Sequence, residues 1–204
     1  MNRIEKTKQK FYELFKGKPT NNEGTDPEFM QILQRFIFGE VCYTGSLDND
    51  IRELITITVL AINQTLPQLK AHVEACLNVG LSPLEIRETV YQCAPFIGFP
   101  KTLNAIASMN EVFVSKGITL PLKNAQTVTE ETRYDRGVFL QKPLYGNEIA
   151  KKYSWLPEDF AECVPKWLSE LYFGDFASRT GLAQKTRELL TVVILAALGD
   201  AKEQ

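Results

Sequence analysis

Four side chains have the types and spacing for chemistry: Glu53, His72, Cys76 and Cys93. Glu53 stands just before the run Leu54 to Ile62, which is apolar apart from two threonines. A helix apolar on most of its surface is buried. A carboxyl group there loses part of its hydration, which favours its protonated form and suits it to proton transfer near neutral pH. The position also has a structural explanation, in which Glu53 pairs with Arg52 or a nearby cation and benefits from the helix dipole.

His72 is the only histidine. Imidazole titrates nearest neutrality and can serve as acid or base, although a lone histidine also serves as a structural or exposed group. Cys76 lies four residues on and so shares a helix face with His72. An adjacent imidazole would activate that thiol; otherwise free cysteines are small buried hydrophobes. One histidine and no clustered cysteines give no metal-ligand spacing, and phosphate-loop and dinucleotide glycine motifs are absent. Neither a metal nor a cofactor is expected.

These side chains need a scaffold, and the apolar residues recur at helical spacing almost throughout, without alternating runs flanked by hairpin turns. The class is all-α. Helices are expected over Ile4–Phe15, Pro27–Val41, Asn49–Ile62, Pro67–Val79, Pro83–Pro95 and Pro100–Ser115, then Arg133–Tyr145, Pro157–Phe173 and Gln184–Leu198. Thr65 with Gln68 and Ser82 with Glu85 have the spacing of capping boxes, each with a proline in the first turn. Gly80 is placed to end the intervening helix in a left-handed conformation. Residues 118–132 lack a period and suggest a linker.

The 204 residues are 44% hydrophobic and 24% charged, with a formal net charge of -2. That balance favours neither nucleic acid nor an anionic membrane. The longest apolar stretches are too short to cross a bilayer. The Lys-rich first twenty residues do not resemble a secretory signal, and Cys42, Cys76, Cys93 and Cys163 include no Cys-x-x-Cys pair. Reduced thiols in a cytoplasmic protein are the expectation.

A shift of 135 positions superposes Phe38-Gly39-Glu40 on Phe173-Gly174-Asp175 and Arg52-Glu53-Leu54 on Arg187-Glu188-Leu189. Leu47, Thr56, Leu60 and Ala61 fall on Leu182, Thr191, Leu195 and Ala196 without a gap. A repeated unit is the natural explanation. Thr65 and Gln68 fall on Asp200 and Glu203, so another helix is expected to begin there, yet the sequence stops at Gln204. Either residues follow in the natural chain or a partner completes the second unit. The division expected is a complete module over 1–117, a linker over 118–132 and a partial second module over 133–204. The second copy keeps Glu188 but stops short of a histidine counterpart, so it is expected to be a packing surface.

Arg52-Glu53-Leu54-Ile55-Thr56, Leu66 to Val73, Asn78-Val79-Gly80-Leu81, Glu85-Ile86-Arg87-Glu88 and Phe99 to Ala105 together resemble the carboxymuconolactone decarboxylase family. The likeness covers Pro27 to Phe113 and resumes from Arg133 in the manner of a tandem member. It implies an alkylhydroperoxidase-like helical module that assembles into homotrimers or hexamers, with active sites near subunit contacts. In the peroxidase branch a glutamate, a Cys-x-x-Cys pair and a histidine form a proton relay. His72 and Glu53 take the histidine and glutamate places, while the cysteine places fall on Thr65 and Gln68. Neither can act as a thiolate, so peroxiredoxin-type activity lacks its usual groups.

The resemblance therefore implies decarboxylase-like chemistry, with Glu53 and His72 moving protons on a small carboxylated or carbonyl-containing molecule. Two other expectations remain open: a peroxidase-like or disulfide-reducing enzyme using Cys76 or Cys93, and an oligomeric binding module without catalysis.

Overall fold

Asn2 starts the first helix with a reciprocal cap, its side chain accepting from the Glu5 amide while the Glu5 carboxylate accepts from the Asn2 amide. The computed structural model describes residues 1–20, 22, 24–146 and 149–199. Helix α1 (Arg3–Phe15) packs on α2 (Pro27–Gly39), where Leu14 and Phe38 are buried with Ala75 in a small apolar cluster. A 3-10 turn, Val41–Tyr43, leads to α3 (Asn49–Ile62), α4 (Leu66–Asn78), α5 (Pro83–Gln92), the single turn α6 (Ala94–Ile97) and α7 (Phe99–Ser115). The main core lies among α3, α4, α5 and α7, with Ile57, Leu69, Val73, Ile86 and Phe113 fully buried. The protein is all-helical, with no strand among the described residues.

Two caps decide how the α3–α4–α5 series turns. Ser82, extended at ψ 152°, accepts from the Glu85 amide while Glu85 returns an oxygen to the Ser82 amide, so α5 begins with the expected capping box. Gly80, at φ 96°, ends α4 in a Schellman closure, with the Leu81 amide reaching Cys76 O and the Gly80 amide reaching Leu77 O.

Thr65 does not cap α4. At ψ 66° its hydroxyl turns back to Leu60 O, and its amide also donates to Leu60 O. With only residues 63–65 between the helices, Thr65 is needed to close α3, and Gln64 takes the left-handed position at φ 57°. One residue cannot hold both geometries. The helix expected over Pro83–Pro95 also divides, because Pro95 has no amide hydrogen to continue α5.

Beyond α7, residues 118–129 form no helix, yet Ala125 and Val128 are buried and Thr180 donates its amide to Ala125 O. Then come α8 (Arg133–Tyr145), α9 (Ile149–Lys152), α10 (Glu158–Trp167), a π-helix over Leu168–Ala177, and α11 (Gln184–Leu198). The helix expected over Pro157–Phe173 thus changes winding after Trp167. That change is invisible to apolar periodicity. Gly137 brings α8 onto the π-helix so closely that a Cβ there would lie 1.9 Å from Ser169 O. Asp200 and Glu203 lie outside the described residues.

Helix α11 packs against α3 and α5, contributing Leu190 and Ile194 to the main core. A buried charge network fixes this contact. Glu88 on α5 is 0% exposed and meets Arg87 at 2.9 Å, Arg179 at 2.8 Å and Arg187 at 3.5 Å. Gln92 adds a bond from its amide nitrogen to Arg187 O. No helix among the described residues is long and apolar enough to cross a membrane.

Candidate active site

Helix α3 is apolar on nearly every side and is covered by α4, α5, α7 and α11, so the one carboxylate in its second turn, Glu53, is carried into the interior at 4% exposure. Helix α4 runs back beside α3 after the short turn, as helical hairpins do. Its second turn places His72 against Glu53, with Nδ1 2.7 Å from Oε2. The histidine side chain keeps 19% of its surface exposed. Glu53 therefore has a specific partner on another helix rather than Arg52, whose guanidinium donates to the carbonyls of Thr44 and Leu47.

Helix α1 completes the surroundings of the imidazole. The Phe15 ring stands edge-on to His72 at 5.5 Å, and Asn78 of α4 donates to Leu14 O at 2.7 Å, pinning the end of α1. Glu53 on Nδ1 and Phe15 against the ring restrict the imidazole's rotation, and Nε2 has no hydrogen-bond partner among the described residues. A neutral imidazole with Nδ1–H bonded to a carboxylate presents Nε2 as its exchangeable atom. Phe15 was not legible as part of this arrangement from sequence, since its only signal is the apolar face of α1.

The cysteines have different surroundings. Cys76 and Cys93 are fully buried. Burial pushes the Cys76 thiol well up, and the nearby Glu53 carboxylate adds to that effect. Sharing a helix face with His72 thus gives Cys76 an opposing carboxylate, not an activating cation. Burial pushes Cys93 up to about 12, and its thiol donates to Thr89 O at 3.5 Å. A buried protonated thiol is a poor nucleophile. Thr65 and Gln68 are both exposed, and Glu188, the counterpart of Glu53, is exposed with a long contact to Gln184. No group of three or more His, Cys, Asp or Glu side chains among the described residues could hold a metal ion.

Residues 27–111, which contain both Glu53 and His72, match the model of the carboxymuconolactone decarboxylase family. The 4-carboxymuconolactone decarboxylase of Acinetobacter baylyi is 33% identical over 91 residues, 45% of this chain and 68% of that protein. The nitrosuccinic acid decarboxylase of Metarhizium robertsii is 28% identical over 76 residues, 37% of this chain and 53% of that protein.

Proposed function

The chain belongs to the carboxymuconolactone decarboxylase family, and from that premise we propose that it is a decarboxylating lyase in which His72, held by Glu53, moves a proton on a small carboxylated or carbonyl-containing substrate. The observation that carries this reading is the 2.7 Å contact between His72 Nδ1 and Glu53 Oε2. Both relatives are named as decarboxylases, of a lactone and of a nitro acid. In each named substrate an electron-withdrawing group can take up the electron pair released when a carboxylate leaves as carbon dioxide.

The chemistry then divides simply. The bond from carbon to carboxylate breaks, carbon dioxide departs, and the electron pair passes into the adjoining carbonyl or nitro group. Protonated His72 delivers its Nε2 hydrogen to the carbon, forming the new C–H bond, and regains a proton from solvent. Glu53 never touches substrate in this scheme. It holds Nδ1–H, fixes the ring and stabilises the imidazolium, which makes it a positioning residue.

The test is carbon dioxide release from 4-carboxymuconolactone and from nitrosuccinic acid by the intact chain, with His72→Gln and Glu53→Gln beside it. Turnover lost in His72→Gln and reduced in Glu53→Gln, with both variants folded, supports the assignment. Turnover that survives both substitutions removes it. Ligand-induced stabilisation without turnover would favour a binding module instead.

The same reading extends to assembly and to the second unit. Phe29, Ile32 and Phe36 expose more than half of their surface along one side of α2, a stripe that supports self-association in a trimer or hexamer. The repeat is supported by three parallels. Arg3 pairs with Glu40 as Arg133 pairs with Asp175. Cβ atoms on Gly39 and Gly174 would meet the carbonyls of Arg3 and Arg133. Arg52 and Arg187 each donate to the carbonyl eight residues earlier, Thr44 and Arg179.

A further inference from the structure

We propose, on the reading that His72 carries the proton, that helix α1 is a working part of the site and that Phe15 is the positioning residue keeping the imidazole on Glu53. Helix α1 ends at Phe15, ahead of residue 27, where the family match begins. Its role here is therefore read from its contacts.

One hydrogen bond fixes a point, not the attitude of a ring. Glu53 holds His72 Nδ1 at 2.7 Å, which leaves the imidazole able to hinge about that contact and swing Nε2 away from a substrate. A second contact is needed to stop the swing, and Phe15 supplies it. Its ring stands at 79° to the imidazole with 5.5 Å between centroids, the edge-to-face arrangement that aromatic pairs prefer. Phe15 is itself braced. Phe11, one turn earlier on α1, lies 4.8 Å from it, and Phe38 of α2 meets it edge-on at 5.5 Å.

Helix α1 is also tied to both helices that carry the pair. On α3, one turn before Glu53, Asn49 accepts from Lys10 Nζ at 2.8 Å and donates to Glu13 Oε2 at 3.1 Å. In the last turn of α4, which carries His72, Asn78 donates to Leu14 O at 2.7 Å, beside Phe15 in the chain. Lys10 is buried at 8% exposure, and a lysine is taken out of water only where it is paired, as here with Glu13. Helix α1 thus bridges α3 and α4 and sets its last ring against the imidazole. Packing that locks a side chain in this way keeps a reacting group within the roughly 0.5 Å that chemistry tolerates.

His72 is the only histidine, so nitrogen-15 NMR of the intact, histidine-labelled chain reports this ring alone. With the imidazole neutral, a ring held on Glu53 gives one protonated-type signal, from Nδ1, and one bare-type signal, from Nε2. Phe15→Leu should draw the two signals together as the freed ring samples both tautomers. It should also lower kcat for carbon dioxide release by roughly ten-fold to 10²-fold, with KM changed much less. Phe15→Tyr, which keeps the ring, should restore both readouts. Ile194→Val, a core substitution on α11, should cost stability without moving either. Should Phe15→Leu fail to fold, Asn78→Ala, which frees the end of α1, carries the same expectation. Unmoved signals or an unchanged kcat in the folded variant overturn the proposal, as does failure of Phe15→Tyr to restore them or an equal change in Ile194→Val. Turnover that survives His72→Gln removes the catalytic reading instead, and the NMR comparison then decides by itself whether α1 holds the imidazole.

Discussion

Glu53 Oε2 lies 2.7 Å from His72 Nδ1 across nineteen residues of sequence, because α3 and α4 form a hairpin closed by Thr65. The contact orders the two residues by role. Substituting His72 with Gln should lower kcat by about 10²–10⁴-fold, the range of a positioned acid or base, with KM changed much less. Glu53→Gln keeps an acceptor but loses the charge, so its fall in kcat should be smaller. Steady-state kinetics on the lactone and nitro acid named above measure both.

Glu88 is the one carboxylate among the described residues that pairs with Arg87, Arg179 and Arg187, and it is fully buried. Replacing it with Leu leaves three guanidinium groups without their shared counter-charge. Removing one partner of a buried ion pair costs about 3–5 kcal/mol. Urea unfolding of Glu88→Leu should show a midpoint lowered to match.

Gly137 meets Ser169 O so closely that an added Cβ would lie 1.9 Å away. The obstacle is backbone, which cannot swing aside as a side chain would. Gly137→Ala should destabilise the protein by roughly 3 kcal/mol, the upper range for overpacking, while Gly80→Ala should show the smaller penalty of a strained turn. Thermal melts of the two variants distinguish these costs.

Burial separates the four thiols. Iodoacetamide at neutral pH should spare Cys76 and Cys93, which are fully buried, and modify the half-exposed Cys42 and Cys163. Cys93 also gives a pH dependence whose sign follows from linkage. Its folded value is raised from 9.0 to about 12, so the unfolded thiol ionises first as pH rises. Its stabilising contribution is complete below about pH 9 and is lost progressively toward pH 12. The loss of stability over that window should be shallower in Cys93→Ala than in the unsubstituted chain, as denaturant titrations at stepped pH would record.

The division between sequence and structure is clearest at the caps and at the charges. Ser82 and Glu85 formed the capping box their spacing predicts, because Ser82 has no competing duty. Thr65 and Gln68 have the same spacing and did not, because closing α3 claimed Thr65 first. The network of Glu88, Arg179 and Arg187 spans up to 99 positions and exists only after α11 settles on α5.

What the sequence by itself determined is the helical class and the extent of α3, α8 and α11, and it singled out Glu53 and His72 as candidates by residue type and spacing. These follow from periodicity and residue type, which act over a few turns of chain. Tertiary structure alone decided that Glu53 holds His72 by Nδ1, that Phe15 packs against the ring, and that Cys76 and Cys93 are sealed in the core. Hydrogen-bond direction and exclusion of water depend on which distant helices pack together, and local propensity does not encode that.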